Sequence, residues 1–259
     1  SGNGGDAIGG LGEILISDGE FDANIQIGAA GQTGNGEIGG AGTGGTTVLR
    51  ISDTVAGAKT RNSGLVLLIP RNFISTGPGG AAPSTQGEAI FEMSLLDPAA
   101  ALNVAGDFGV LSDGDIAPAG NGFSVDISGG SLQIGGDFDV DIGRDAVFNI
   151  APGASIDAAG IFIDARQFTS TGVISSTGTT RITAPNGISA TDLSVGGNAF
   201  LTATNGPVSV SNDLSSVGAV TALGTSVSLR SLSTLDIFDA DATAGDLILL
   251  VDGATGDLI

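Results

Sequence analysis

The residues best able to do chemistry in this chain of 259 residues are aspartates in closely spaced groups. Asp113 and Asp115 flank a single glycine, and Asp239 and Asp241 are followed by Asp246. Both groups are predicted to lie in loops, and oxygen ligands on flexible loops are what Ca²⁺ binds. We therefore predict these five carboxylates as candidate calcium ligands of weak affinity, and we expect no other cofactor.

A third acidic group has the alternate spacing of a β-strand. On a strand, Asp137, Asp139 and Asp141 point to the same side, about 7 Å apart. An EF-hand loop is excluded, because Ile142 stands where that loop needs glycine and Phe148 where it needs glutamate. We interpret this group as a solvated acidic face that keeps the chain soluble.

The composition excludes most other kinds of site. The chain has no Cys, His, Trp or Tyr, which excludes Cys/His zinc sites, haem, disulfides and Ser-His nucleophiles. A net charge of −20 repels phosphate backbones, so nucleic acid is not an expected partner. Two Gly-x-Gly-x-x-Gly matches begin at Gly34 and Gly40, but residues 1–45 contain 16 glycines. Such matches arise by chance there, and we reject a dinucleotide site.

Glycoside hydrolysis is the enzymatic reaction that remains conceivable. It needs two carboxylates in one cleft, one of them made a general acid by its surroundings. Here the acidic residues are scattered along polar faces, and Phe is the only aromatic type that could stack on a sugar. We therefore predict that the chain is not an enzyme.

The apolar residues point to a thin body rather than a thick core. Hydrophobic types make up 41% of the chain but aromatics only 4%, so small aliphatic side chains must fill the interior. No run approaches the roughly 18 to 20 apolar residues of a membrane helix, so no transmembrane segment is predicted.

A repeat of 19 residues is the strongest pattern in the sequence. Triplets of the form aliphatic–polar–Ala begin at Ile163, Ile182, Leu201 and Val220. The same offset separates two Asn-Gly pairs and two alternating segments, at 186–187 and 205–206 and at 208–210 and 227–229. A unit this short cannot bury its apolar face alone and must stack on copies of itself. We expect the four triplets to lie in one column.

This repeat predicts an all-β fold, a right-handed parallel β-helix with coils of about 19–21 residues. An antiparallel sandwich is the alternative, but it does not need the same face and corner to return at a fixed interval. At about 20 residues per coil, the chain would make roughly 12 to 13 coils and span about 60 Å.

The predicted solenoid has three parts. Residues 1–51 are glycine-rich coils with strands at 14–16 and 25–27, or alternatively a mobile linker. Residues 52–122 are irregular coils with inserted loops or hairpins, and residues 123–259 are regular coils. Thr85 and Glu88 match a helix capping box, yet the alternation of the residues up to position 95 favours a strand.

The segment from Ile163 to Leu229, with its Ile/Leu/Val-Thr-Ala steps and Asn-Gly corners, resembles the repeats of filamentous-haemagglutinin-like exoproteins and autotransporter passenger domains. The resemblance is one of repeat style over the C-terminal half and includes no diagnostic motif. It implies a secreted right-handed β-helix that acts as an adhesin or stalk on the bacterial cell surface.

We therefore expect an extracellular bacterial rod with a structural or adhesive role, as a piece of a longer surface protein. The alternative is a building block that self-assembles into a filament or matrix through open coil edges. A polysaccharide-active enzyme is a more distant alternative. The expected partners are copies of the chain or further β-helix of the same parent, and a host or cell-surface glycan or protein.

Overall fold

The computed structural model describes residues 7–8, 10–32, 42–43, 45–57, 59–73, 87–112 and 121–252. These residues form strands and turns, and none of them is helical. Every strand pairing among them is parallel. The all-β prediction is confirmed, and the antiparallel sandwich is wrong.

The described residues contain twenty-four strands. In chain order they are β1 (Ala7–Ile8), β2 (Leu11–Ser17), β3 (Phe21–Asp22), β4 (Ile25–Gln32), β5 (Gly42–Thr43), β6 (Thr46–Ser52), β7 (Arg61–Ser63), β8 (Val66–Phe73), β9 (Ala89–Ser94), β10 (Ala101–Val104), β11 (Phe108–Leu111), β12 (Asn121–Gly129), β13 (Ser131–Asp141), β14 (Asp145–Ile150), β15 (Ser155–Asp164), β16 (Gln167–Ser176), β17 (Thr180–Thr183), β18 (Ile188–Val195), β19 (Ala199–Thr202), β20 (Val208–Ser216), β21 (Val220–Gly224), β22 (Val227–Ser231), β23 (Ile237–Ala242) and β24 (Leu247–Val251). Strands β1 and β5 pair separately, and the others belong to one large sheet.

The pairings divide the large sheet into three stacks of strands, which we call faces 1, 2 and 3. Face 1 holds β2, β6, β9, β12, β14, the first halves of β16, β18 and β20, and then β22 and β24. Face 2 holds β3, β7, β10, the first halves of β13 and β15, and the second halves of β16, β18 and β20. Face 3 holds β4, β8, β11, the second halves of β13 and β15, and β17, β19, β21 and β23. The chain visits the three faces in turn and returns one level further along, which is the arrangement of a β-solenoid.

The coils shorten along the chain, as one column of paired residues on face 1 shows. This column runs through Thr47, Ala89, Phe123, Ala146, Phe168, Ile188, Val208, Val227 and Leu247. Its first two steps are much longer than the predicted coil, the next two exceed it slightly, and the last four agree with it. Face 1 has ten levels among the described residues, which span about 43 Å at about 4.8 Å per step. This is fewer than the predicted coils, because the early ones use more residues per turn.

The predicted column of triplets holds for three of its four members. Ile163 pairs with Ile182, and Ile182 pairs with Leu201. Leu201 then pairs with Ala222, so Val220 lies outside the predicted column. That part of the prediction is wrong.

Two added residues cause this shift. One lies in the connection between faces 3 and 1, because Thr183 and Ile188 are five positions apart whereas their partners Thr202 and Val208 are six apart. Ala190 pairs with Val210, but Asp192 pairs with Asp213 rather than with Asn212, so β20 gains a residue at the corner between faces 1 and 2. After β21 the connection from face 3 to face 1 is shorter, because Leu223 and Val227 are four positions apart whereas their partners Thr202 and Val208 are six apart. The added and removed residues together keep the coil length nearly constant while moving the register of face 3.

The glycine-rich opening and the disputed segment near residue 90 both contain strands. The predicted strands at 14–16 and 25–27 lie in β2 and β4, which pair with β6 and β8. Residues 89–94 form β9, as the alternation indicated, whereas Thr85 lies outside the described residues. The described part of the opening therefore belongs to the solenoid.

A run of phenylalanine rings fills the interior of the middle coils. Six rings lie in contact with centroids 5.2–6.3 Å apart, mostly edge to face, which is a favourable geometry for aromatic pairs. They belong to Phe91, Phe108, Phe123, Phe138, Phe148 and Phe168, and all six are fully buried. Aliphatic side chains continue this interior through the C-terminal coils.

A charged network interrupts the interior in the second coil. The side chains of Arg61 and Asp53 are both fully buried, and Arg61 Nη2 donates to Asp53 Oδ1. Lys59 Nζ lies 2.7 Å from Asp53 Oδ1 and 2.7 Å from Asp18 Oδ1, so it joins this pair to the first coil. The hydrogen bonds from Lys59 and Thr54 hold the pKa of Asp18 well below its ordinary value. Asp18 therefore stabilises the folded state above its ordinary pKa of 3.8, and this stabilisation is lost progressively as the pH falls below that value.

The buried pair predicts an asymmetric response to substitution. Arg61→Leu should lower the free energy of unfolding by about 3 kcal/mol, because the Asp53 carboxylate keeps only Lys59 as a partner inside the protein. The double variant Asp53→Leu/Arg61→Leu should recover most of that loss, because later coils fill this part of the interior with aliphatic residues. Urea denaturation followed by circular dichroism measures both effects. A single variant as stable as the parent would contradict the pairing.

Candidate binding groove

A groove runs along face 2, parallel to the axis of the solenoid. It encloses about 950 Å³. Its floor contains a column of outward side chains, one per coil, which we call the face 2 ladder and which consists of Asp22, Asn62, Asn103, Gln133, Asp157, Ser175 and Ser194. At about 4.8 Å per step the ladder is about 29 Å long.

Strand alternation and parallel pairing place these side chains outward and in line. Leu102 and Leu132 are fully buried, so Asn103 and Gln133, which follow them, point to solvent. Asn103 pairs in register with Gln133, and the same in-register pairing continues to the next coils. The groove is thus a direct result of coil stacking.

Side-chain hydrogen bonds hold the ladder in place. Asn103 Nδ2 donates to Asn62 Oδ1 at 3.3 Å. Ser155 Oγ donates to Asp157 Oδ2 at 2.7 Å, and Ser175 Oγ donates to the other oxygen of the same carboxylate. Each carboxamide carries two N–H donors and one oxygen acceptor. The bond between the two asparagines uses only one donor of Asn103, so the amides retain capacity for a ligand.

Small residues keep the groove open at the corner between faces 2 and 3. Gly64, Ala105, Gly135 and Ala159 line it there. A Cβ atom added at Gly135 would lie 2.6 Å from the Ala105 carbonyl oxygen, which is closer than real Cβ atoms approach. The backbones of successive coils therefore contact each other directly at this corner, and no large side chain rises beside the groove there.

Buried serines fix the same corner from inside. Ser63 Oγ donates to the carbonyl of Leu65 at 2.7 Å, and Ser176 Oγ donates to the carbonyl of Gly178 at 3.1 Å. The half-buried Ser216 repeats this contact in a later coil, with the carbonyl of Gly218. The bond supplies a partner for a corner carbonyl, which a buried aliphatic residue could not do.

The charge and composition of the groove lining are distinctive. Its described residues include the two carboxylates of the ladder and no Lys, Arg or aromatic residue. Asp22 and Asp157 lie four levels apart, about 19 Å at the spacing between strands. The remaining polar groups are hydroxyls and carboxamides.

The structure places the predicted calcium ligands only in part. Asp239 and Asp241 lie in β23, a strand rather than the predicted loop, and Asp246 precedes β24. Asp113 and Asp115 lie outside the described residues. Within the described ranges no group of three or more acidic side chains is arranged to hold a metal ion. Calcium binding at these positions stays a prediction.

The acidic face predicted on β13 is present on face 3. Asp137, Asp139 and Asp141 all point outward and are exposed. Partial burial raises the pKa of Asp139, and the carboxylates of Asp141, Asp137 and Asp107 raise it further by repulsion. Partial burial and Asp141 likewise raise the pKa of Asp164. Crowded negative charge defines this surface.

Sequence reasoning missed the groove and its ladder. Among the ladder residues, Asn62, Asn103 and Gln133 follow one another at unequal intervals, so no fixed repeat connects them. The only available signal was the alternation within each strand. It shows that the side chains of the ladder residues point outward, but it does not show that these residues are neighbours.

Comparison with known proteins adds no assignment. No family model, curated protein or solved structure matches the chain. Within the ranges that the structure describes, no helix has the length and apolar character needed to cross a membrane.

The crowding of the face 3 carboxylates predicts that removing the charge of Asp139 stabilises the protein, by an amount that depends on pH. Asp139→Asn should raise the free energy of unfolding at neutral pH, by less than about 1 kcal/mol because the group contacts solvent. Its folded pKa is raised, so the native state takes up a proton first and the penalty on the parent disappears as the pH falls. Thermal unfolding of both proteins from neutral pH to below pH 3.8 measures this. If the variant were still more stable than the parent at the lowest pH, electrostatic repulsion would not be the cause.

Proposed function

We propose that the chain is part of an extracellular bacterial rod, wound as a right-handed β-helix, with a structural or adhesive role. The observation that supports this most is the uninterrupted parallel stacking of face 1 from β2 to β24. The right-handed sense is proposed because connections between parallel strands of one sheet are right-handed in about 98% of cases.

Stiffness follows from hydrogen bonds that run along the axis on three faces. Bending the solenoid would lengthen these bonds on one face and compress the strands on another. The continuous interior, including the rings from Phe91 to Phe168, resists the same motion because cores are close-packed. A rod of this kind is suited to hold a binding surface away from a cell.

The groove on face 2 is the proposed adhesive surface. Its two carboxylates are about 19 Å apart, whereas the catalytic carboxylates of glycosidases are separated by about 5–9.5 Å. This separation supports binding rather than hydrolysis. The extracellular bacterial setting is proposed from the resemblance of the repeats between Ile163 and Leu229 to filamentous-haemagglutinin-like and autotransporter passenger repeats.

A second candidate function is end-to-end assembly into a filament or matrix. Among the described residues β24 pairs only with β22, and its Ile248 and Leu250 side chains are 52% and 46% exposed. At the opposite end β2 pairs with β6 and with no other described strand, and Leu11 and Leu15 are 64% and 58% exposed. Each edge offers backbone groups and apolar side chains to a second copy.

Adhesion is tested with beads that carry the purified chain. They are allowed to settle on a cell monolayer and are then washed under flow. More beads should be retained than beads carrying albumin, and retention should fall for Asn103→Ala/Gln133→Ala, which removes two exposed ladder amides without touching the core. The matched control is Ser189→Ala/Ser209→Ala, an outward pair on face 1 in adjacent coils. Retention no better than albumin would contradict an adhesive role.

Assembly is tested by sedimentation velocity at low and at high salt. The chain carries a net charge of −20, so end-to-end contact should be favoured when salt screens the repulsion. Larger species should form at high salt and should be reduced by Ile248→Lys/Leu250→Lys, which places charge on the β24 edge. A monomer at every salt concentration would eliminate this second candidate.

A further inference from the structure

We infer that the groove on face 2 binds a neutral, extended polysaccharide chain lying along the solenoid axis. The inference deepens the proposed adhesive role, because it names the chemical class of the partner at the same surface. It depends on the length, the charge and the polar groups of the face 2 ladder.

The shape of the groove favours a linear polymer. The ladder is straight, because successive members pair in register from Asp22 to Ser194. Its length of about 29 Å exceeds that of a small metabolite. The ladder presents a polar group about every 4.8 Å, so a chain of repeating units can make similar contacts along it.

The charge of the groove excludes polyanions and does not favour polycations. In the part of the lining that the structure describes, no Lys or Arg is present to pair with carboxylate or sulfate groups, and the chain as a whole carries −20. Only Asp22 and Asp157 could attract a cationic polymer, and four levels separate them. A neutral chain avoids both the repulsion and the need for paired charges.

The polar groups are those that recognise sugar hydroxyls. Carboxamides donate and accept, serine hydroxyls do the same, and carboxylates accept from hydroxyl donors. Asn62, Asn103 and Gln133 occupy three consecutive levels, and Asp157 and Ser175 occupy the next two. A polyhydroxylated chain along this line meets a hydrogen-bonding partner at every level.

An extended peptide fits the groove less well. Peptides bind to sheets chiefly by adding a strand to a free edge, but the backbone groups of face 2 are already paired between coils. Peptide recognition otherwise uses apolar pockets, whereas every member of the face 2 ladder is polar. The ladder therefore offers contacts that suit hydroxyl groups.

Calorimetric titration with soluble oligomers of defined length tests the inference. The probes are cello-oligosaccharides, malto-oligosaccharides, oligogalacturonate and an unstructured peptide of similar length. Cello-oligosaccharides should bind, with affinity that rises with length until the groove is filled, because their extended form follows a straight line. The variant Asn103→Ala/Gln133→Ala should bind about tenfold more weakly, whereas Ser189→Ala/Ser209→Ala should bind like the parent. Circular dichroism melts confirm that both variants fold.

Several results would overturn the inference. These are an absence of binding to the neutral oligosaccharides, tighter binding of oligogalacturonate, malto-oligosaccharides or peptide, and unchanged affinity in the ladder variant. If cello-oligosaccharides do not bind but coated beads still adhere to cells, the inference fails and the adhesive role stands. If they bind but the beads do not adhere, the adhesive role fails and the inference stands.

Discussion

The structure depends on one constraint, which is that the backbone of each coil hydrogen-bonds in parallel to the next. Parallel pairing places each residue directly over its paired residue in the neighbouring coil, so side chains of the same type can form a column along the axis. On the inside, this brings rings from Phe91 to Phe168 into one continuous contact although they are far apart in sequence. On the outside, it aligns amides and hydroxyls on face 2 and concentrates aspartates on face 3. The parallel pairing that stabilises the fold therefore also arranges the polar side chains of face 2 and the acidic side chains of face 3.

Several of the cationic residues join acidic residues on neighbouring coils. Arg50 lies between Glu13 and Glu92 on neighbouring coils, and the hydrogen bond from Arg50 holds the pKa of Glu92 below its ordinary value. Arg166 and Asp145 form a two-point contact between two later coils, at 2.8 and 2.6 Å. Such pairs contribute modestly each, but they offset the axial repulsion that 28 acidic residues create in a stacked fold.

Sequence reasoning recovered what local periodicity encodes. Alternation identified the strands and their buried faces, and the constant repeat offset linked Ile163, Ile182 and Leu201. It placed Val220 wrongly, because a corner can gain or lose residues without disturbing alternation in the strands on either side. The groove was missed because the early coils are long and unequal, which removes any fixed interval between its members. The alternation within a strand shows which of its side chains point inward. The residues that become neighbours between coils depend on the length of every intervening corner.

The paired changes around β20 have a wider consequence. An insertion at one corner and a shortening at another leave every strand of these coils paired. Insertions and deletions at the corners thus change the length of a connection without disturbing the hydrogen bonds between stacked strands. A solenoid of this design can acquire or shed surface segments during evolution, one coil at a time, while its neighbours keep their geometry.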